Sequence, residues 1–500
     1  MRLNPFFALC LFALLLGLVF PEPASAKVSL STMFSDHMVL QRDVQLRFWG
    51  TGAPGEKVTV SLAGQKATTT TSAKGNWRVE LEDPIAAGGP YDLVVSGENT
   101  VKFSDVLIGD VWLCAGQSNM VYTVGSLPKP QEVLAEAKDP EVRLFYVKRD
   151  MSETPKTNVS GSWQRLSPEV LNKFSAIAYL FAREVKSKVK VPIGLIDCAV
   201  GGTPIDAWMS KKLLEKDSHY AKIFQERIER KERGEERKLN SLEGMGFMNG
   251  NPINTNFIRG EGCCTIFNAM LAPILPLNMK GILWYQGESD LGLDAKFRKF
   301  FPAMVEDWRA RMKQRAEVPF IYVQLPRSTF LVNDLGEEAW PLLREAQKSA
   351  LVQPNTYMVA TIDSGEPDNI HPNNKPLVAH RLAQVALSKV YGEPIECFGP
   401  TYESNLAVGS AVEVTLKHLG KGLVHKGKTV DGFSLVDMSG RVFEATAEIV
   451  GNNKIKVYSP NVRRPLEVLY DWGSVPKGNL YNSENLPAVP FRVDVWLGNK

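Results

Sequence analysis

Hydrophobic and polar positions follow different patterns in different parts of the chain. In residues 27–104, short runs alternate between apolar and polar residues, as KVTVSL does at 57–62, and turn-forming residues separate the runs. Alternation with a period of two predicts strands with one buried face, so this part is predicted to be an antiparallel β sandwich. Residues 399–500 return to the same pattern and predict a small C-terminal β domain.

The middle part of the chain, residues 105–398, predicts a different fold. Its strands, such as 106–115 and 281–285, are apolar almost throughout, and they alternate with helical segments such as 175–189. Strands buried on both faces indicate a parallel sheet with helices on each side. An insertion at 211–262 begins with a dense run of charges and ends rich in Gly and Asn, so it is predicted to be a solvated helix and a loop near the site.

The start of the chain reads as a secretory signal at residues 1–26. Arg2 supplies a positive start, residues 6–20 form an apolar core, and small residues at 24–26 form a cleavage site. The mature chain is then expected to begin at Lys27 and to be secreted or periplasmic. Beyond this segment, no stretch of sequence is long and apolar enough to predict a membrane span.

Composition narrows the class of partner. The formal net charge of +3 over 500 residues gives no general field that would attract nucleic acid or an anionic membrane. A small or neutral substrate is therefore expected. The six cysteines lack the spacing of a disulfide framework, and no His, Cys or Asp group has the spacing of a zinc site, so neither a metal nor another cofactor is predicted.

One serine directly follows an apolar strand and is a candidate nucleophile. The segment AGQSNM at 115–120 breaks the strand at Gly116 and presents the hydroxyl of Ser118 immediately afterwards. The same residue types also form ordinary turns, in which a serine bonds its own backbone. The case for Ser118 as a nucleophile therefore depends on the catalytic groups found elsewhere in the chain.

A base for this serine is available in DNIHP at 368–372. A serine hydroxyl needs a base to accept its proton, and His371 stands three residues after Asp368. This spacing lets one short turn hold both the imidazole and the carboxylate that orients it. A surface histidine paired with its neighbour is the alternative interpretation.

Donors for the oxyanion of an ester hydrolysis follow two other apolar strands. A Gly-Gly turn at 201–202 follows one strand and Gln286 follows the next, so both emerge at the carboxyl edge, where open α/β sheets bind ligands. The backbone N–H of Ser118 is a further candidate donor. Glu288 is a second candidate for the acid that orients the base.

Together these motifs resemble a known family. The segments that carry the resemblance are AGQSNM at 115–120, WYQGESD at 284–290, DNIHP at 368–372, MFSDHMVLQ at 33–41, NLYN at 479–482 and LPA at 486–488. They are similar to the signature segments of sialate O-acetylesterases, in the SGNH hydrolase superfamily. The resemblance implies an α/β fold with an SGNH-hydrolase-like parallel sheet flanked by helices, joined to an N-terminal β-sandwich domain and a small C-terminal β domain.

The resemblance also implies roles for single residues. It implies Ser118 as nucleophile, His371 as base and Asp368 as the orienting acid, with oxyanion donors from Ser118, Gly202 and Gln286. Related carbohydrate acetylesterases are thought to use a glutamate of the QGE segment as the acid, so Glu288 stays an alternative.

The predicted activity is removal of O-acetyl groups from sialic acids through an acetyl-enzyme intermediate. The planar group of an arginine suits the sialate carboxylate because it can bind both oxygens, and Arg344 in LREAQ is a candidate, with a helix-surface ion pair as its alternative role. The alternative functions are an acetyl xylan or other carbohydrate O-acetylesterase, and a carbohydrate-binding protein without activity. The sequence predicts no oligomeric state.

Overall fold

The computed structural model describes residues 27–234, 262–314 and 317–495. The predicted signal at 1–26 and most of the predicted insertion loop lie outside these residues. Of the helices within the described ranges, none combines the length and the apolar character that crossing a membrane requires.

A large mixed sheet of 11 strands, flanked by helices, forms the centre of the molecule. Its main path runs through strands Trp163–Arg165, Val142–Tyr146, Ile193–Ala199, Thr100–Gly116, Gly281–Tyr285, Phe320–Val323 and Thr356–Val359. Neighbours along this path are parallel, except for the antiparallel first pair. Every residue of strand Ile193–Ala199 is buried, as expected for a strand covered on both faces.

Helices cover opposite faces of this sheet. Trp112 lies opposite Gly281 in the strand register, so Trp284, three residues further along its strand, points to the other face. Trp112 packs on Phe181 with ring centres 4.9 Å apart, and Trp284 packs on Trp308 at 5.4 Å. Within the described residues the α-helices are Ser118–Val121, Pro130–Leu134, Pro168–Asn172, Ala176–Val189, Lys211–Leu214, Ser218–Glu232, Asp294–Met312, Val332–Leu335, Ala339–Gln347 and Lys375–Lys389.

The N-terminal part is rich in β structure and is continuous with the central sheet. Its strands are Ser29–Leu30, Val39–Gln41, Arg47–Thr51, Lys57–Leu62, Gln65–Thr70, Asn76–Glu80 and Gly88–Ser96. The start of strand Thr100–Gly116 pairs with the last of these, and its end pairs within the central sheet. The predicted boundary between residues 104 and 105 therefore falls inside one strand, and the division into domains stays a prediction.

The C-terminal part is also rich in β structure and has a hydrophobic core of its own. Its strands are Thr401–Val408, Ala411–Lys417, Leu423–His425, Phe433–Asp437, Val442–Glu444, Thr446–Ile449, Lys454–Tyr458, Pro465–Tyr470, Leu480–Asn482 and Phe491–Asp494. A hydrogen bond of 3.1 Å from the N–H of Ser328 to the carbonyl oxygen of Ser474 connects this part to a loop at the carboxyl edge of the central sheet.

Candidate active site

The candidate nucleophile lies where the longest strand turns into a helix. Strand Thr100–Gly116 ends two residues before Ser118, the first residue of its helix. Gly116 has a φ of 137°, and a Cβ at this position would lie 2.1 Å from the carbonyl oxygen of Tyr285. Glycine therefore allows the two strands to approach here. The N–H of Ser118 belongs to the first turn of the helix, where the helix itself supplies no acceptor.

The hydroxyl of Ser118 and the ring of His371 form a hydrogen bond. Ser118 Oγ lies 2.8 Å from His371 Nε2. The backbone N–H of His371 donates to Asn369 Oδ1 at 3.0 Å. Burial, and secondly the positive charge of Lys375, lower the pKa of His371 to about 4. The ring is therefore uncharged at neutral pH, which is the state that can accept the proton of the hydroxyl.

The two candidate acids bind different parts of the site. The side chain of Asp368 is exposed, and its Oδ1 accepts a hydrogen bond from Thr329 Oγ1 at 3.1 Å. Glu288 is buried, and its Oε1 accepts a hydrogen bond of 2.5 Å from Nδ2 of Asn119, the residue after Ser118. Burial raises the pKa of Glu288. The choice between the two acids stays a prediction.

The Gly-Gly turn lies beside Ser118. A Cβ on Gly201 would lie 3.5 Å from the Cβ of Ser118. Gly202 has a φ of 69°, a left-handed conformation that glycine adopts without strain. The N–H of Val200 donates to the carbonyl oxygen of Gly116 at 2.9 Å and so connects the turn to the strand that leads to Ser118. These contacts bring the backbone of the turn within reach of an ester bound at Ser118.

Gln286 lies behind this turn, fully buried. Its side-chain amide donates to the carbonyl oxygen of Thr203 at 3.1 Å and to Asp290 Oδ2 at 2.6 Å. Because a glutamine amide carries two N–H groups, both are occupied by these bonds. The geometry gives Gln286 the task of holding the turn, and it does not support the expectation that this amide donates to an oxyanion.

A buried network of charged residues anchors the same turn. The N–H of Ile205 donates to Asp290 Oδ2 at 2.8 Å. Lys296 Nζ lies 3.7 Å from Asp290 Oδ1 and 2.8 Å from Asp206 Oδ2, which also accepts from the hydroxyl of Tyr220. Burial raises the pKa of Asp290 to about 6, while Lys296 opposes this change. The network fixes the segment that follows the Gly-Gly turn.

Arg344 is enclosed at the junction with the C-terminal part. Its side chain is 1% exposed, and its guanidinium donates to the carbonyl oxygens of Pro326 and Gly473. Burial lowers the pKa of Arg344 to about 10. A guanidinium held in this way joins two parts of the molecule, and its position does not support the expectation that it binds a substrate carboxylate.

Asn119 and Lys375, for which no motif predicted a role, connect the segment of Ser118 to the loop of His371. Lys375 Nζ donates to Asn119 Oδ1 at 2.8 Å. The sequence signal that could have indicated them was their position, since Asn119 directly follows Ser118 and Lys375 stands four residues after His371. Within the three described ranges, no three His, Cys, Asp or Glu side chains are grouped as ligands for a metal ion.

Comparison with known proteins assigns the chain to a family. The family model described as carbohydrate esterase, sialic acid-specific acetylesterase, matches residues 108–252 and 248–388. The chain belongs to this sialic acid-specific acetylesterase family. It is therefore an esterase, which argues against the alternative of a binding protein without activity.

Relatives of this acetylesterase family match well beyond the residues of the family model. The chain is 30% identical to a sialate O-acetylesterase of Pongo abelii over 96% of each chain. It is also 30% identical to the sialate O-acetylesterase of Rattus norvegicus over 73% of each chain. A carbohydrate acetylesterase from Xanthomonas citri has the same fold, with a TM-score of 0.81 and 32% identity over 94% of this chain and 100% of the other.

Proposed function

We propose that this acetylesterase removes O-acetyl groups from sialic acids, with Ser118 as the nucleophile and His371 as its base. The observation that carries the proposal is the 2.8 Å hydrogen bond between Ser118 Oγ and His371 Nε2. Membership of the sialic acid-specific family and the relatives named sialate O-acetylesterase support the substrate class.

In the proposed first half of the reaction, Ser118 Oγ attacks the carbonyl carbon of the acetyl ester while His371 Nε2 takes the hydroxyl proton. The tetrahedral oxyanion then collapses and the bond to the sugar oxygen breaks. His371 returns its proton to that oxygen, so the sugar leaves as an alcohol and the acetyl group stays on Ser118.

In the proposed second half, His371 takes a proton from a water molecule, and the oxygen of that water attacks the acetyl group on Ser118. Collapse of the second tetrahedral oxyanion breaks the bond to Ser118 Oγ, which regains a proton from His371. Acetate leaves, and the enzyme returns to its starting state. The cycle consumes one water and requires no cofactor.

The proposed oxyanion donors are the backbone N–H groups of Ser118 and Gly202. The first lies in the opening turn of a helix, and the second belongs to the turn beside the nucleophile. Each such donor contributes roughly 3 kcal/mol to the stability of the transition state. The sequence assigned a third donor to Gln286, but its occupied amide favours an indirect role, in which it holds the turn through Thr203.

The proposed orienting acid is Asp368, with Glu288 as the alternative. Asp368 is supported by its place three residues before His371 in the same loop, and Glu288 is supported by its burial and its bond to Asn119. Asp368→Asn and Glu288→Gln, compared for kcat, separate these two. The variant of the true acid should lose about 10,000-fold, because the wrong tautomer of the base is then favoured.

A broader carbohydrate O-acetylesterase, including one that acts on acetylated xylan, is the second candidate. The structural relative from Xanthomonas citri is described as a carbohydrate acetylesterase, without restriction to sialic acids, and this favours the broader reading. The predicted signal at 1–26 would make either enzyme secreted or periplasmic.

Acetate release from O-acetylated sialic acids and from acetylated xylo-oligosaccharides, measured with one enzyme preparation, tests the substrate. The proposal predicts a higher kcat/KM on the sialic acids. A higher value on the xylo-oligosaccharides would favour the second candidate and leave the chemistry unchanged.

A further inference from the structure

Lys375 is a buried lysine at the start of helix Lys375–Lys389, with 1% of its surface exposed. Its Nζ donates to Asn119 Oδ1 at 2.8 Å and to the carbonyl oxygen of Pro372 at 2.5 Å, and lies 4.4 Å from the centre of the Tyr122 ring. Burying an ammonium costs free energy unless other groups replace its water. Around Lys375 Nζ, two neutral oxygens and the face of the Tyr122 ring take the place of water.

The contacts of Asn119 and Lys375 hold the backbone on both sides of the base. Asn119 Nδ2 donates to the carbonyl oxygen of Ile370 at 3.0 Å, and Lys375 Nζ donates to that of Pro372. These two carbonyl groups flank His371 in the chain. Because Asn119 also follows Ser118 directly, the same contacts fix both partners of the Ser118–His371 hydrogen bond.

The charge of Lys375 is compensated at a distance. Asn119 lies between the ammonium of Lys375 and the carboxylate of Glu288, because it accepts a hydrogen bond from Lys375 and donates one to Glu288 Oε1. Burial lowers the pKa of Lys375 to about 7, while Glu288 and Glu366 oppose this change, so the ammonium is charged throughout the acid range. Glu288 and Glu366 act on this ammonium and the ring of Tyr122 faces it, while Asp368 stands three residues before His371 in the same loop.

We propose that Lys375 is a positioning residue of the esterase reaction, which fixes the geometry of Ser118 and His371 through its hydrogen bonds to Asn119 and to the loop of the base, and which places a positive charge beside that loop. The inference rests on the proposed function, because it takes Ser118 and His371 as the reacting pair. A residue that merely filled space would affect stability and would leave the pH dependence of the reaction unchanged.

The test is the pH profile of Lys375→Met, measured with 4-nitrophenyl acetate and with O-acetylated sialic acid. The acid limb of kcat/KM should move to higher pH by about one unit, because a positive charge that disfavours the imidazolium is gone. On either substrate kcat should fall by about 10- to 100-fold because the pair is less precisely held. KM should change by less than about twofold, since the side chain of Lys375 is buried and its ammonium is bonded to Asn119 and Pro372.

Lys348→Met is the matched control. Lys348 is a half-buried lysine, and its Nζ donates to the carbonyl oxygen of Pro490, at the junction with the C-terminal part. The control removes the same chemical group from a place without contact to the Ser118–His371 pair. We expect it to keep the acid limb and kcat of the wild type.

Two further variants keep the test valid if Lys375→Met does not fold. Lys375→Gln can still donate a hydrogen bond without a charge, so its acid limb should move as in Lys375→Met. Lys375→Arg keeps the charge, so its acid limb should stay in place, while kcat falls because a planar guanidinium does not reproduce the bonds of an ammonium.

An acid limb and a kcat equal to those of the wild type, in a folded Lys375→Met or Lys375→Gln variant, would overturn the inference. Ser118→Ala, measured in parallel, separates this failure from failure of the proposed function. If Ser118→Ala is inactive, an unchanged Lys375 variant refutes the positioning role alone. If Ser118→Ala keeps the rate of the wild type, the proposed function itself fails.

Discussion

Two lysines hold the two halves of the candidate active site, Lys375 fully buried and Lys296 with 22% of its side chain exposed, and they are compensated in different ways. Lys296, on the side of the Gly-Gly turn, faces the carboxylates of Asp206 at 2.8 Å and Asp290 at 3.7 Å. Lys375, on the side of the base, donates to the neutral oxygens of Asn119 and Pro372. Both lysines anchor backbone that surrounds Ser118.

The difference indicates separate tasks for the two lysines. A lysine between two carboxylates has its charge cancelled locally, so its main contribution is to the stability of the turn. A lysine among neutral oxygens leaves an electric field that acts on nearby ionisable groups, and the group beside Lys375 is His371, the proposed base. We therefore expect Lys296 variants to lose stability and Lys375 variants to change the pH dependence of catalysis.

The largest effect is expected on the base itself. His371→Ala should lower kcat by about 10,000-fold, because the hydroxyl of Ser118 loses its proton acceptor. The measurement is steady-state hydrolysis of an acetyl ester, with thermal unfolding to show that the variant folds. His380→Ala is the control, since its Nδ1 pairs with Glu184 on exposed helix surfaces. A His371→Ala rate within tenfold of the wild type would contradict the role of His371.

Removing Lys296 should mainly affect stability. Lys296→Met leaves Asp206 and Asp290 without their cation, and the free energy of unfolding in urea should fall by about 3 kcal/mol. The acid limb of kcat/KM should stay where it is in the wild type. If instead the limb moves as much as in Lys375→Met while stability is unchanged, the contrast between the two lysines is wrong.

A smaller loss is expected at Gln286. A direct oxyanion donor costs about 100-fold or more in kcat when removed, whereas a residue that holds the turn from behind should cost about tenfold. Gln286→Met, which keeps the size of the side chain, distinguishes these values in a kcat measurement. A loss of 100-fold or more would restore Gln286 as a donor, as the sequence predicted.

The pH profile of the wild type tests the lowered pKa of His371 without a mutation. The pKa of His371, about 4, lies below the ordinary 6.5, and the uncharged ring is the form that can act as the proposed base. Activity should therefore persist as pH falls through 6.5 and disappear near pH 4, when measured as kcat/KM. The free energy of unfolding should also decline as pH falls from 6.5 toward 4, because the unfolded chain binds the proton of this histidine more tightly. Loss of kcat/KM near pH 6.5 would show that the pKa of the His371 ring is not lowered.

Much of the scaffold was predictable from the sequence because its signals are local. Strand Gly281–Tyr285 has the predicted bounds, and helix Ala176–Val189 differs by one residue, since Ser175 is its cap and not its first residue. Strands Val142–Tyr146 and Trp163–Arg165 were not predicted. The second lies at the edge of the sheet and has one buried residue in three, so it carries little hydrophobic pattern.

The partners of single side chains were harder to predict. Asn119 and Glu288 are 169 residues apart in sequence, and no local pattern indicates that they share a hydrogen bond. The enclosure of Arg344 depends on Gly473, which comes from the C-terminal part. The packing of distant segments determines the partners of such polar residues, and no short sequence motif indicates how those segments pack.

The central claim is that Ser118 is the nucleophile of an esterase acting on O-acetylated sialic acids. Acetate release from such a substrate, compared between wild type and Ser118→Ala at matched folded concentration, tests it most directly. The account predicts steady release by the wild type and a rate lower by about 10,000-fold for the variant. Release by Ser118→Ala at the rate of the wild type would contradict the account.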